Sequence, residues 1–199
     1  MSLRTKLLGL ALLVVFAGGL FYLRSLARRI FFELPLHSDE SAKARLNEAA
    51  LQSGSGPNEI ALLFFPSLSE RKLVVETRPL KWAPAAADRV RQVLLALAEG
   101  PRQDLDHPLA ASTEVRAVFL TSEGTAYVDL SSDLLSSIHP GIESECLAVY
   151  SIVNSITTNI PSVKRVKILI QGQEVETLEG HADLTDAIVP DPTLTQSGP

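Results

Sequence analysis

Few residues in this 199-residue chain have the type and spacing that chemistry needs. The histidines are His37, His107, His139 and His181, and none lies three or four residues from another, so no helix can present a paired metal site. His107 and His139 each precede a proline and are expected in exposed turns. The single cysteine, Cys146, excludes an internal disulfide and any zinc site built on two or four thiolates. Glu143 and Glu145 flank it, whereas a reactive thiolate wants an electropositive setting. Cys146 is therefore expected to pack as a small hydrophobe.

Carboxylates fare no better as catalysts. Asp129 alternates with Val128 and Leu130 and so faces away from them, and Asp133 follows Ser131-Ser132. Glu145 and Asn154 are nine residues apart, which on a helix puts them on opposite faces, unable to hold one substrate together. The chain has no Gly-x-Ser-x-Gly elbow, no P-loop and no Gly-x-Gly-x-x-Gly turn, and Ser53-Gly54-Ser55-Gly56 precedes a strand, so it reads as a linker. A nucleophile, a base and an orienter are not assembled. No catalytic residue, cofactor or metal is expected, and the functional surface is expected to bind.

The elements that would carry such a surface are legible from periodicity. Ile60 to Phe65 and Lys72 to Leu80 read as strands around the turn Ser67-Leu68-Ser69-Glu70. After Pro84, Val90, Val93, Leu94 and Leu97 fall at helical spacing until Gly100-Pro101 ends the helix. Val115 to Leu120 and Thr125 to Leu130 form a hairpin around Ser122-Glu123-Gly124. A second helix runs from Ile142 to about Thr158, with Ile142, Cys146, Val149, Val153 and Ile156 as its apolar stripe, and Val163 to Ile170 is the last strand. The order β-β-α-β-β-α-β predicts an α+β fold, a two-layer sandwich with both helices on one face of a single mixed sheet.

Composition fits such a domain, with 46% apolar and 21% charged residues, and the net charge of −5 argues against nucleic-acid binding. That charge is unevenly spread: residues 1–36 carry +4 and the rest −9. The basic end holds the uncharged run Leu7–Leu23, whose seventeen residues span roughly 25 Å as a helix, enough for a thin bilayer. A cleaved signal peptide would have to use Ser25-Leu26-Ala27, with Arg24 before it and Arg28-Arg29 after it; a core helix would not be bracketed by bases. The segment is thus expected to be a transmembrane anchor that contacts the lipid bilayer. Bases on both sides leave its orientation open on charge alone. The organisation expected is a basic N-terminus (1–6), the anchor (7–23), a juxtamembrane segment and tether (24–57), a folded domain (58–189) and a disordered tail (190–199).

From about Ala61 to Asp186 the chain resembles the GerMN domain, a family named after a sporulation and spore-germination protein. The resemblance is carried by Leu63-Phe64-Phe65-Pro66, Leu73-Val74-Val75-Glu76-Thr77-Arg78, Glu99-Gly100-Pro101, Ala126-Tyr127-Val128-Asp129-Leu130-Ser131, the helix from Glu145 through Asn154-Ser155-Ile156-Thr157, Val166-Lys167-Ile168-Leu169-Ile170, and Gly180-His181-Ala182-Asp183-Leu184. It implies a single-pass protein of the inner membrane, N-terminus in and domain outside the cytoplasm, with a fold similar to the ring-building motif of secretion-system and sporulation channel proteins. It also implies scaffolding or assembly with protein partners in the cell envelope, copies of itself among them, and it transfers no catalytic set. One copy of the domain fits here, where the namesake resembles two in tandem.

Structural or interfacial roles are accordingly expected for Gly100, Asp129, Ser131, Glu145, Asn154 and His181. Asp129 and Ser131 should cap the turn after the fourth strand, Asn154 should hydrogen-bond backbone beside the last strand, and Gly100 should take the left-handed conformation. Two other classes compete with the scaffold: an accessory domain that recognises cell-wall fragments or a sensor kinase, and a hydrolase built on Asp129, Asp133 and His181.

Overall fold

The computed structural model of the protein describes residues 58–196. The expected anchor Leu7–Leu23 and the tether lie outside the described residues; among the described ones, no helix is long and apolar enough to cross a membrane.

Strands β1 (Asn58–Ser67) and β2 (Lys72–Lys81) pair antiparallel over all ten residues of each. Ala61, Leu63 and Phe65 on one face of β1 enter the main core. Helix α1 (Ala86–Ala98) follows, then β3 (Val115–Leu120) and β4 (Thr125–Leu130), joined by a tight turn with Gly124 at φ +86°. A 3-10 turn (Ser132–Ser137) leads into α2 (Ile142–Asn159), and β5 (Arg165–Ile170) and the short β6 (Gln173–Glu174) complete the elements of the core.

The α+β class and the order of the seven long elements agree with the sequence, but the strands form two sheets, not one. The β1–β2 hairpin stands by itself, and β3-β4-β5-β6 form a mixed sheet in which β4 and β5 run parallel. The reason lies on the outer edge of β1. Ser155 Oγ accepts from the Phe64 N–H at 3.0 Å, and Ser151 Oγ donates to the Phe64 carbonyl. Asn159 accepts from the Leu62 N–H at 3.0 Å and donates to the Leu62 carbonyl at 2.7 Å. Further along, Asp106 donates its backbone N–H to the Pro66 carbonyl and accepts from the Leu68 N–H, both at 2.9 Å. Side chains of α2 thus take the place of a neighbouring strand, and the backbone groups at Leu62 and Phe64 have no bond left to offer a third strand.

Both helices lie against the hairpin and against the inner face of the mixed sheet, where Ala126, Val128, Leu130, Val166 and Ile168 are buried. This explains why α2 is buried almost without interruption from Leu147 to Ile156. The expected stripe is corrected at its start: Ile142 is 70% exposed and Cys146 only half-buried, because the first turn of α2 extends past the core.

The stretch expected as a disordered tail is docked through Gln196. Ile188 exchanges hydrogen bonds with Val166 on the β5 edge, and Thr195 bridges to Leu73 on β2, with the Gln196 N–H donating to the Leu73 carbonyl at 2.9 Å. Leu194 packs with Phe64, Leu73 and Leu147 in a second, smaller apolar cluster. Prolines 190 and 192 make this segment look like a loose end in sequence, yet its hydrogen-bonding partners are far away in the chain.

Candidate functional site

The polar residues singled out from the sequence are each tied to backbone. Gly100 sits at φ +83°, the left-handed conformation that favours glycine, and a Cβ there would lie 2.1 Å from His107 Cε1, so any side chain would also have to displace the exposed imidazole. Beside it, Arg78 is 3% exposed; its guanidinium donates to the Ala96 and Gly100 carbonyls at the end of α1, pairs with Glu76 at 3.0 Å, and lies 5.3 Å from the centre of the Phe65 ring. Glu76 in turn accepts from the Arg102 N–H at 2.9 Å. The buried pair completes the helix C-terminus, where a cation meets the unpaired carbonyls.

Asp129 does not cap the turn after β4. Its Oδ1 accepts from the Gly172 N–H at 2.7 Å, and its Oδ2 meets Arg116 Nε at 3.1 Å. Because β4 and β5 are parallel and in register, with Asp129 opposite Leu169, their ends lie side by side, and Asp129 reaches the turn after β5 instead. That turn holds Gln171 and Gly172 at φ +56° and +76°. Ser131 precedes the 3-10 turn without capping it; its Oγ accepts from the Glu114 N–H at 3.0 Å and donates to Asp133 at 3.1 Å, fastening the entry to β3.

Glu145 and His181 are brought together. The Glu145 carboxylate is fully buried and accepts from the N–H groups of Leu178 (2.8 Å), Glu179 (3.0 Å) and His181 (2.9 Å), with His181 Nδ1 at 3.0 Å. Burial works to raise its pKa, but the backbone donors of Glu179, Leu178 and Ala182 and the His181 ring outweigh it, so the carboxyl titrates below its ordinary value. The 178–182 loop is therefore wrapped around a side chain of α2. On the opposite face of that helix, as the nine-residue spacing requires, the Asn154 amide bonds both the carbonyl (2.9 Å) and the N–H (3.1 Å) of Asp191. Asn154 does hold backbone, though in the C-terminal segment that follows the last strand.

The three residues a hydrolase would need are engaged separately: Asp129 with Gly172 and Arg116, Asp133 with Ser131, and His181 with Glu145. Among the described residues no three His, Cys, Asp or Glu side chains gather to hold a metal ion. The Cys146 thiol is pushed up by burial and by the carboxylates of Asp191, Glu145 and Glu143, which disfavours a thiolate.

The family model for Germane, described as sporulation and spore germination, matches residues 62–176, more than half of the chain. This chain belongs to the Germane family. Among solved structures, the tandem GerMN domains of the sporulation protein GerM from Bacillus subtilis are similar at 22% identity and TM-score 0.54, over 67% of this chain and 46% of that one. The first GerMN domain of the same protein is similar at 22% identity and TM-score 0.53, over 68% of this chain and 98% of that one. The chain thus spans about half of the tandem structure and the whole of one repeat, and the likeness carries the fold. No curated protein matches the sequence.

Sequence reasoning passed over five residues of this Germane domain. Ser151, Ser155 and Asn159 are spaced i, i+4, i+8, a polar line along one face of the helix and a signal that could have been read. Glu76 and Arg78 share the buried face of β2 with Leu80, where the period-two pattern alone predicts apolar residues.

Proposed function

We propose that this Germane chain is a non-catalytic assembly module of the cell envelope, anchored in the inner membrane through Leu7–Leu23 with its domain outside the cytoplasm, where it binds protein partners. One observation carries the reading: the polar side chains best suited to chemistry, Asp129, Ser131, Glu145, Asn154 and His181, spend their hydrogen bonds on the protein's own backbone and on each other's neighbours. They are the fastenings of a scaffold whose outer surfaces remain free for recognition. The description of the family, sporulation and spore germination, makes a sporulation-related role part of the same proposal.

The test is crosslinking of the full-length protein in intact cells with a reagent that cannot cross the inner membrane. A ladder of homo-oligomers or one discrete heavier band is expected. Crosslinks that appear only after lysis would place the domain in the cytoplasm and defeat the reading.

A further inference from the structure

Among the described residues, no helix lies over the outer face of the mixed sheet. Because Ala126, Val128, Val166 and Ile168 point inward, Thr125, Tyr127, Arg165 and Lys167 point outward, and the β4–β5 register sets Thr125 beside Arg165 and Tyr127 beside Lys167. Directly across from Tyr127 on β3 stands Phe119, 65% exposed. Residues 185–187, leading to the Ile188 bridge, raise a wall along this face and flank an open hollow of about 400 Å³ with Glu174 at its end. That size is at the lower end of the roughly 300–1,000 Å³ of small-molecule sites. The wall is tied to the floor: Lys167 Nζ donates to the Leu184 and Thr185 carbonyls and pairs with Glu174 at 3.3 Å.

We infer that this hollow and the Phe119 platform beside it bind a glycan chain of N-acetylated amino sugars. Arg165 and Lys167 are matched by Glu174 and Asp186 in the lining, and Asp183 and Glu123 lie near enough to act on the same cations, so the hollow offers no net positive charge and disfavours an anion. Lys167 has already committed its three donors to the wall and to Glu174, so it does not act as an anion hook. Arg165 Nε is bonded to the Thr125 hydroxyl at 2.7 Å and the Thr185 hydroxyl to Asp183, so what the hollow offers is the outer guanidinium nitrogens and the Tyr127 hydroxyl as donors and the Glu174 and Asp186 carboxylates as acceptors. Sugar hydroxyls and an acetamido group both donate and accept, and match such a mixture. The electron-rich faces of Tyr127 and Phe119 suit the weakly positive C–H face of a pyranose ring, and Ala187 offers an apolar contact to an acetamido methyl. Neighbouring strands are about 4.8 Å apart, so the platform on β3 and the hollow over β4–β5 adjoin, and linked sugar units can occupy both. The choice of this polysaccharide rests on the extracytoplasmic placement proposed above; the binding chemistry does not.

The experiment uses the full-length chain in a detergent without a sugar headgroup, titrated with the hexamer of N-acetylglucosamine and followed calorimetrically. Saturable binding is expected, weakened about tenfold or more by Phe119→Ala and by Asp186→Ala while the melting temperature stays put, and retained in Phe119→Trp. No saturation at millimolar hexamer overturns the inference, and equal binding of cellohexaose overturns the assignment to amino sugars. A Phe119→Ala variant that changes oligomeric state and leaves the titration untouched also overturns it, in favour of a surface between copies. Crosslinking in cells reports topology independently, so a cytoplasmic domain with an intact titration and an extracytoplasmic domain with none are distinct results.

Discussion

The seam between α2 and β1 and the outer face of β4–β5 use the same kinds of residue to opposite ends. In the seam, Ser151, Ser155 and Asn159 are turned inward, and every polar atom they bring satisfies a backbone group of Leu62 or Phe64. On the outer face, Tyr127, Arg165 and Glu174 border open space, and Arg165 bonds a side chain, the Thr125 hydroxyl at 2.7 Å, instead of backbone. A buried hydroxyl bonded to backbone is worth its hydrogen bond and the orphan it prevents, whereas a polar group at the surface already has water. Serine and threonine in a sequence are therefore silent about role until their neighbours are known.

The contrast between buried fastenings and open surface can be broken by mutation, beginning with Glu145, the fastening of α2 to the 178–182 loop. Glu145→Ala should destabilise the domain by about 3 kcal/mol, because three backbone donors lose a buried acceptor. Denaturant unfolding measures the loss, and faster proteolysis between residues 176 and 184 locates it. The same carboxylate predicts a pH dependence. Its folded pKa lies below the ordinary 4.5, so between the two values the unfolded chain binds the more protons and stability rises with pH. Its contribution is complete above the unfolded value and is lost as the pH falls through the folded one; Glu145→Gln should flatten that part of the acid unfolding curve.

Gly100→Val comes next, at about 1–3 kcal/mol for a β-branched residue forced to positive φ. A melting curve for Gly100→Val combined with His107→Ala sharpens the point: removal of the clash with the His107 ring should recover only part of the loss, and full recovery would assign all of it to that clash. Ser155→Ala follows at about 1–2 kcal/mol, since it leaves the Phe64 N–H buried without an acceptor. On the other side of the comparison, Arg165→Ala should cost no more than about 1 kcal/mol, the worth of its one bond to the Thr125 hydroxyl. A larger loss there, by chemical denaturation, would mean that the outer face is structural after all and that the two regions do not differ.

Much of the local structure could be read beforehand. The i, i+3, i+4, i+7 spacing of Val90, Val93, Leu94 and Leu97 and the Gly100-Pro101 stop delimit α1, and Ser122-Glu123-Gly124 marks the β3–β4 turn, because these features depend on neighbours a few residues away. The candidate site was legible only in residue type. That Glu145 and Asn154 face opposite ways follows from helical geometry, but their partners, the 178–181 backbone and Asp191, are more than thirty residues distant.

Sequence by itself determined which segments are strands and helices, their order, the glycine that ends α1 and the family to which the chain belongs. Each of these is encoded in short-range periodicity, backbone sterics or ordered blocks of residues. Tertiary structure alone decided that the strands part into two sheets, that Asp129 serves the turn after β5, and that the proline-bearing C-terminal segment docks on β5, α2 and β2. The physical reason is common to all three. A backbone N–H or carbonyl must find a partner once it is buried, but the partner is whichever group packing brings within about 3 Å, and that choice is made by the assembled core.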